Sequence, residues 1–180
     1  MQASVIDTNV LLVANGSHAN VSDACQAECV KRLLARQRRG VTVIDDAYRI
    51  LSEYQNKTRP NQPRGAGDVF LKWLLQNQSN AVRVHKVVIT ETAEDHYAEF
   101  PDAALQLAFD ASDRKFAAVA NAHPGKTAIW QATDSKWLAW WTPLRAHEIE
   151  VEFLCPDDVQ AAYQKKFPKR QAPALPDREP

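Results

Sequence analysis

No stretch of this chain approaches the roughly 18 consecutive apolar residues that a membrane-crossing helix needs. Nor does the N-terminus show a basic segment followed by an apolar one and a cleavage site, so a cytoplasmic location is expected. Neither sign of charge is in excess. Lys and Arg total 22 against 22 Asp and Glu, which argues against nucleic-acid binding by bulk charge while leaving room for local patches that offset one another. Cysteine is scarce and odd in number. Cys25 and Cys29 are four apart, on one helix face rather than in a CxxC array, so they and Cys155 are expected to be reduced core thiols. The five histidines show no paired ligand spacing, and His85 and His123 are expected at the surface or at strand ends. No internal repeat is present.

What the sequence has is alternation. Its 180 residues, 45% of them hydrophobic, suffice for one domain with a single sizeable core. Ala3 to Ile6 read as a buried strand, Ser22 to Arg39 as a helix capped by Ser22 or Asp23, and VTVI at 41 to 44 as a β-branched strand. Asp45 or Asp46 then suits the cap of a helix from Ala47 to about Asn56. QNKTRPNQPRGAG, residues 55 to 67, is rich in Pro and Gly and should be an exposed, mobile loop. A helix over 68 to 77, a strand at 83 to 90, helices at 102 to 109 and 113 to 122, a strand at 127 to 132, a short helix at 137 to 141, a strand at 148 to 154 and a helix from Pro156 to about Lys166 follow. Strands interleaved with helices imply an α/β fold with a central, mostly parallel sheet covered on both faces over residues 1 to 166. The tail from Phe167, with four prolines, is expected to be disordered.

In such folds ligands bind where loops leave the carboxyl ends of the strands. Asp7 directly follows the first strand, and Asp134 follows the strand TAIWQA. Asp113 opens a helix whose Phe116, Val119 and Ala120 face the core, and Glu53 lies on the helix after the second strand. Each acid has a plainer use: Asp7, Asp113 and Asp134 suit helix caps, Glu53 suits a solvated helix face, and Asp45, Asp46 and Asp110 compete as neighbouring acids. Taken together and in order, VIDTNVLL, RILSEY, SDRKFAAVA and ATDSKW resemble the successive motifs of the PIN-domain family of metal-dependent ribonucleases, over roughly residues 3 to 155. The resemblance implies a PIN-like α/β/α sandwich with Asp7, Glu53, Asp113 and Asp134 as catalytic metal ligands. It also implies that Thr8 and Asn9 support the first acid's turn and that Thr133 or Ser135 orients the last. The long basic loop and the Pro-rich tail depart from the simplest members.

Gathered carboxylates repel one another and need a counter-charge at neutral pH. A divalent cation supplies one, and oxygen-only ligation favours Mg²⁺ or Mn²⁺ over Zn²⁺. Such an ion activates water and stabilises a leaving oxygen, so the expected chemistry is phosphodiester hydrolysis; the resemblance implies single-stranded RNA as the substrate. Lys57, Arg59, Arg64, Arg114, Lys115 and Lys136 are candidates for phosphate contacts or else ordinary solvated charges. Trp137, Trp140 and Trp141 suit base stacking or, in the plainer reading, a core or a dimer contact. The resemblance further implies a toxin with a small antitoxin partner and a homodimer. The alternatives are a solitary housekeeping or DNA-directed nuclease and a catalytically inactive RNA-binding scaffold.

Overall fold

The computed structural model describes residues 2–177. Five strands, β1 (Ala3–Ile6), β2 (Val41–Asp45), β3 (Val84–Val87), β6 (Ala128–Gln131) and β7 (Val151–Phe153), form one sheet in the order β3-β2-β1-β6-β7. Every neighbouring pair in it is parallel, so the expected mostly parallel sheet is wholly so. The connecting helices flank it in an α/β/α arrangement: α1 (Thr8–Ala14), α2 (Asp23–Arg38), α3 (Arg49–Lys57), α4 (Ala66–Asn77), α5 (Ala103–Ala108), α6 (Arg114–Ala122), α7 (Trp137–Arg145) and α8 (Pro156–Lys166). All five residues of β2 are buried, as helix cover on both faces requires. Helices α1, α2 and α4 pack on one another, while α6 lies against β1, β2 and β6.

Two elements depart from the sequence reading. The run TNVLLVA turns into a helix because Asp7 caps it, its Oδ1 accepting from Asn9 N at 2.8 Å. A small antiparallel pair, β4 (Glu91–Ala93) with β5 (His96–Tyr97), forms in a segment that shows no alternation of polarity. Its shape comes from side chains outside it: Glu99 accepts from Thr90 N at 2.6 Å, and Gln106 Oε1 accepts from Tyr97 N at 2.7 Å.

The cysteines correct an expectation. Cys25 and Cys155, 130 residues apart in sequence, form a disulfide, and the remaining thiol, Cys29, is buried. Helical spacing correctly put Cys25 and Cys29 on the inward face of α2. It could not show that the crossover through β7 carries Cys155, at the start of α8, onto that same face.

The 55–67 loop is exposed along Asn61 to Arg64, yet it is anchored rather than free. Helix α3 runs on to Lys57 and α4 begins at Ala66, so the irregular part is 58–65. The buried Asp68 carboxylate accepts from Arg59 N at 2.9 Å, Arg64 N at 2.9 Å and Asn15 Nδ2 at 2.8 Å, while Asn15 Oδ1 accepts from Asp68 N at 3.0 Å. Burial alone would raise its pKa; the Arg64 and Arg59 N–H bonds outweigh that and hold it below the usual carboxylate range. Beyond α8 the chain has no regular structure, but Trp141 Nε1 donates to Ala174 O at 3.0 Å and Leu175 packs on the core. Residues 178–180, part of the tail expected to be disordered, lie outside the described residues. Among the described residues no helix is long and apolar enough to cross a membrane.

Gly67 sits where α4 meets α1 and has no room for a side chain: a Cβ there would lie 2.2 Å from Leu11 O. Gly67→Ala should therefore lower stability by about 1–3 kcal/mol through forced separation of the two helices. Gly125→Ala, whose nearest neighbour would be His123 Nδ1 at 3.5 Å, should leave the thermal midpoint unchanged in the same melting experiment.

Candidate metal centre

The order of strands reverses between β1 and β6, so connections from these neighbours leave to opposite sides and open a crevice at their carboxyl ends. Register places the two exits level. Ile6 is paired with Trp130, and Asp7 N donates to Trp130 O at 3.0 Å. Asn9 fastens the junction: its Nδ2 donates to Gln131 Oε1, and its Oδ1 accepts from Ala132 N at 3.0 Å. Asp7 and Asp134 thus emerge side by side from adjacent strands. Asp113 arrives from a 3₁₀ turn, Ala111–Asp113, that runs into α6, and Glu53 from the middle of α3. Tyr54 draws α3 against the end of β1 by donating its hydroxyl to Ile6 O.

All four acids line one cavity of about 340 Å³, together with Thr8, Asn9, Lys57, Thr133, Ser135 and Lys136. Of the competing acids, Asp45 is spent as a helix cap, accepting from Arg49 N at 2.8 Å and Ile50 N at 2.9 Å. Asp46 is exposed, and Asp110 reaches the group only through Lys136. Asp7 does serve as a cap, but with one oxygen; its Oδ2 is buried with no hydrogen-bond partner. Asp113 makes no side-chain cap bond. A larger cavity, about 860 Å³, runs along the edge strand β7, from Gln2 and Ala128 to Leu154 and Pro156. Three of its acids are already neutralised, Glu152 by Arg32, Glu150 by Arg145 at 3.2 Å and Glu28 by Lys31 at 3.2 Å.

The charges at the carboxyl edge are strongly coupled. Burial pushes the Asp7 carboxyl well above its ordinary range, and the nearby charges of Asp113, Asp134 and Glu53 push it further against the bond from Asn9 N. Asp113 is pushed up to about 6, again by burial first, with the Lys136 bond opposing and Asp134 and Asp110 adding to the rise. Two lysines relieve the repulsion. Lys136 Nζ lies 2.5 Å from Asp110, 3.0 Å from Asp113 and 3.3 Å from Asp134, and Lys115 Nζ lies 2.5 Å from Glu53. Burial works against the Lys136 charge, but its bonds to Asp110 and Asp113 outweigh that and hold the ammonium above its usual range.

The supporting residues divide unevenly. Thr8 donates to Glu53 Oε1 at 2.5 Å rather than bracing Asp7, so it couples the first two acids. Thr133 Oγ1 is buried without a partner, and Ser135 lines the cavity. Among the cations, Lys57 stands exposed at the cavity and Arg59 and Arg64 are exposed on the loop beside it in sequence. Two candidates are placed otherwise than expected. Lys115 is buried against Glu53 and Ser112 O, and Arg114 donates to Phe109 O at 3.2 Å and Asp95 O at 3.4 Å, tying α6 to the β4–β5 turn. Trp137 and Trp140 are core residues packed on Phe109, with Trp140 stacked at 4.0 Å between centroids. His85 and His123 meet, Nδ1 to Nε2 at 3.0 Å, though 38 residues apart in sequence. The sequence reading missed His18 and Ser112, which also line the cavity; His18 sits in no distinctive motif, and Ser112 opens SDRKFAAVA, where the adjacent Asp113 drew the assignment.

A site that crowds carboxylates should destabilise the fold at neutral pH. A carboxyl whose folded pKa is raised favours the folded state while protonated, so Asp113's contribution is intact below 3.8 and is lost as pH rises through about 6. Without divalent ions, thermal or urea melts across that window should show stability falling by up to about 3 kcal/mol, and Asp113→Asn should flatten the decline.

Comparison of the chain with family models, with curated proteins and with solved structures yields no match.

Proposed function

We propose that this chain is a metal-dependent endoribonuclease that hydrolyses phosphodiester bonds of single-stranded RNA with Mg²⁺ or Mn²⁺. The observation that carries the reading is the convergence of Asp7, Glu53, Asp113 and Asp134, from four separate elements, on one cavity at the point where strand order reverses. The resemblance of VIDTNVLL, RILSEY, SDRKFAAVA and ATDSKW to PIN-domain motifs supports it. So does the donor chemistry. Every acid offers oxygen, and Asp7 Oδ2 is a buried acceptor with nothing to accept from. The acids surround the cavity without closing to a single point, which suits a hard cation that keeps part of its water shell.

An ion held by these acids would supply Lewis acidity and a water of lowered pKa. The protein does the rest. Asn9 and Tyr54 fix the frame that carries Asp7 and Glu53, so the donor geometry is set before substrate arrives. Thr8 holds Glu53 in one rotamer. Lys57 at the rim, with Thr133 and Ser135 in the wall, supplies donors for phosphate oxygens. RNA rather than DNA, and a toxin paired with an antitoxin, are carried by the resemblance and not by geometry.

A second reading, a scaffold that kept the fold without catalysis, is favoured by one observation: Lys115 and Lys136 already neutralise Glu53, Asp113 and Asp134. Two experiments separate the readings. Wild-type protein should cleave a single-stranded RNA probe with Mn²⁺ and stop when the ion is chelated, while Asp7→Asn should lose at least about 100-fold in rate with its circular dichroism unchanged. Undiminished cleavage by the variant would overturn the assignment. Lys136→Met removes an ammonium that competes for three carboxylates and should tighten Mn²⁺ binding about tenfold by calorimetry. Absence of Mn²⁺ binding in both proteins would establish the scaffold.

A further inference from the structure

Beyond the acidic cavity, the described residues bring three other ligand atoms together. The sulfurs of Cys25, Cys29 and Cys155 all lie within 4.8 Å of one another, and all three residues are buried. Cys25 and Cys29 stand one turn apart on α2, and Cys155 precedes α8, which starts at the same place. None of the three lines the acidic cavity.

Two features give this group the character of a site. First, spacing: Cys29 Sγ lies 3.9 Å from Cys155 Sγ, and three sulfurs bound to one ion by bonds of about 2.3 Å stand about 3.8–4.0 Å apart. Cys29 and Cys155 are already at ligand separation, and opening the Cys25–Cys155 bridge frees the third sulfur to take the same spacing. Second, the bridge is not the sole link between the two helix starts. The Asp158 carboxylate accepts from Ser22 N and Ser22 Oγ, both at 2.7 Å, so the starts of α2 and α8 are clamped by hydrogen bonds as well as by sulfur.

We propose that Cys25, Cys29 and Cys155, once a dithiol has reduced the Cys25–Cys155 bridge, form a buried three-thiolate site for a soft monovalent cation, Cu⁺. The ion class follows from the donors. Thiolate ligands select Cu⁺ or Zn²⁺, and structural Zn²⁺ sites take four protein ligands. Among the described residues no fourth Cys, His or carboxylate joins the group. Helices α2 and α8, 16 and 11 residues long, direct their positive ends toward the cluster and offset part of its negative charge. The steps balance. The dithiol gives two electrons and two protons to the bridge, becoming a disulfide itself, and each of three thiols then releases a proton to solvent as Cu⁺ binds. The same three sulfurs are thus either a bridge plus a thiol or a metal site, according to the redox state around the protein.

The test uses the full chain without other metals. Protein reduced with dithiothreitol and desalted anaerobically should withdraw one equivalent of Cu⁺ from a bicinchoninate complex and show thiolate-to-copper absorption in the ultraviolet. Protein with the bridge intact should withdraw none. Cys29→Ala leaves both bridge partners in place and should weaken Cu⁺ binding of the reduced chain by about two orders of magnitude, with its circular dichroism unchanged. Zn²⁺ titrated in parallel should bind more weakly than Cu⁺. Equal Cu⁺ binding by the bridged chain would place the ion elsewhere, at the His85–His123 pair for instance. That result, undiminished binding by Cys29→Ala, tighter binding of Zn²⁺, or unfolding of the chain on reduction would each overturn the proposal.

Discussion

The pairing of β1 with β6 is the constraint on which the carboxyl-edge site depends. Among the described residues it is the one strand pairing that joins the two halves of the sheet, with β2 and β3 built outward on one side and β7 on the other. Its register delivers Asp7 and Asp134 level with each other, and the Asn9 bridge to Gln131 and Ala132 holds that register against slippage. Parallel strands with slanted hydrogen bonds resist sliding less than antiparallel ones, so a side chain that spans both exits has a disproportionate effect on site geometry.

The electrostatics follow from that geometry. Two strands ending together at a buried edge put like charges where water cannot screen them, and the helices bring two more. The chain answers with two lysines of different character. Lys115 is buried and paired with one acid, so it serves as a fixed part of the frame. Lys136 is partly exposed, stands two residues after Asp134 and touches three acids, so it can withdraw without unfolding anything. A partly exposed ammonium over a carboxylate cluster offsets its charge while leaving the oxygens recoverable.

Most of the fold was legible because strands and helices alternate with clear punctuation: the capping Ser22, the stop at Gly40, and Pro156 at the first position of α8. The four acids were legible because each sits at a predictable place relative to a strand end or a helix start. Pairings between distant residues were not. Cys25 with Cys155, His85 with His123 and Lys115 with Glu53 each join segments far apart in sequence, and nothing local distinguishes a partnered side chain from a lone one. Arg114 and Lys115 show the same limit: beside an acid in sequence they read as surface cations, but the first turn of α6 carries one inward and the other onto the β4–β5 turn. The two-stranded pair escaped because its shape is imposed by Glu99 and Gln106 rather than by its own pattern.

Helix α1, seven residues and about 10 Å long, has Asp7 at one end and Asn15 at the other. Asn15 is locked to Asp68, and Asp68 in turn holds the backbone of Arg59 and Arg64. The helix is therefore a rigid strut between the basic loop and the first acid. Any ligand that pulls on the loop pulls on the Asp7 carboxylate as well, and a change in the loop that broke the Asn15–Asp68 joint would release the strut.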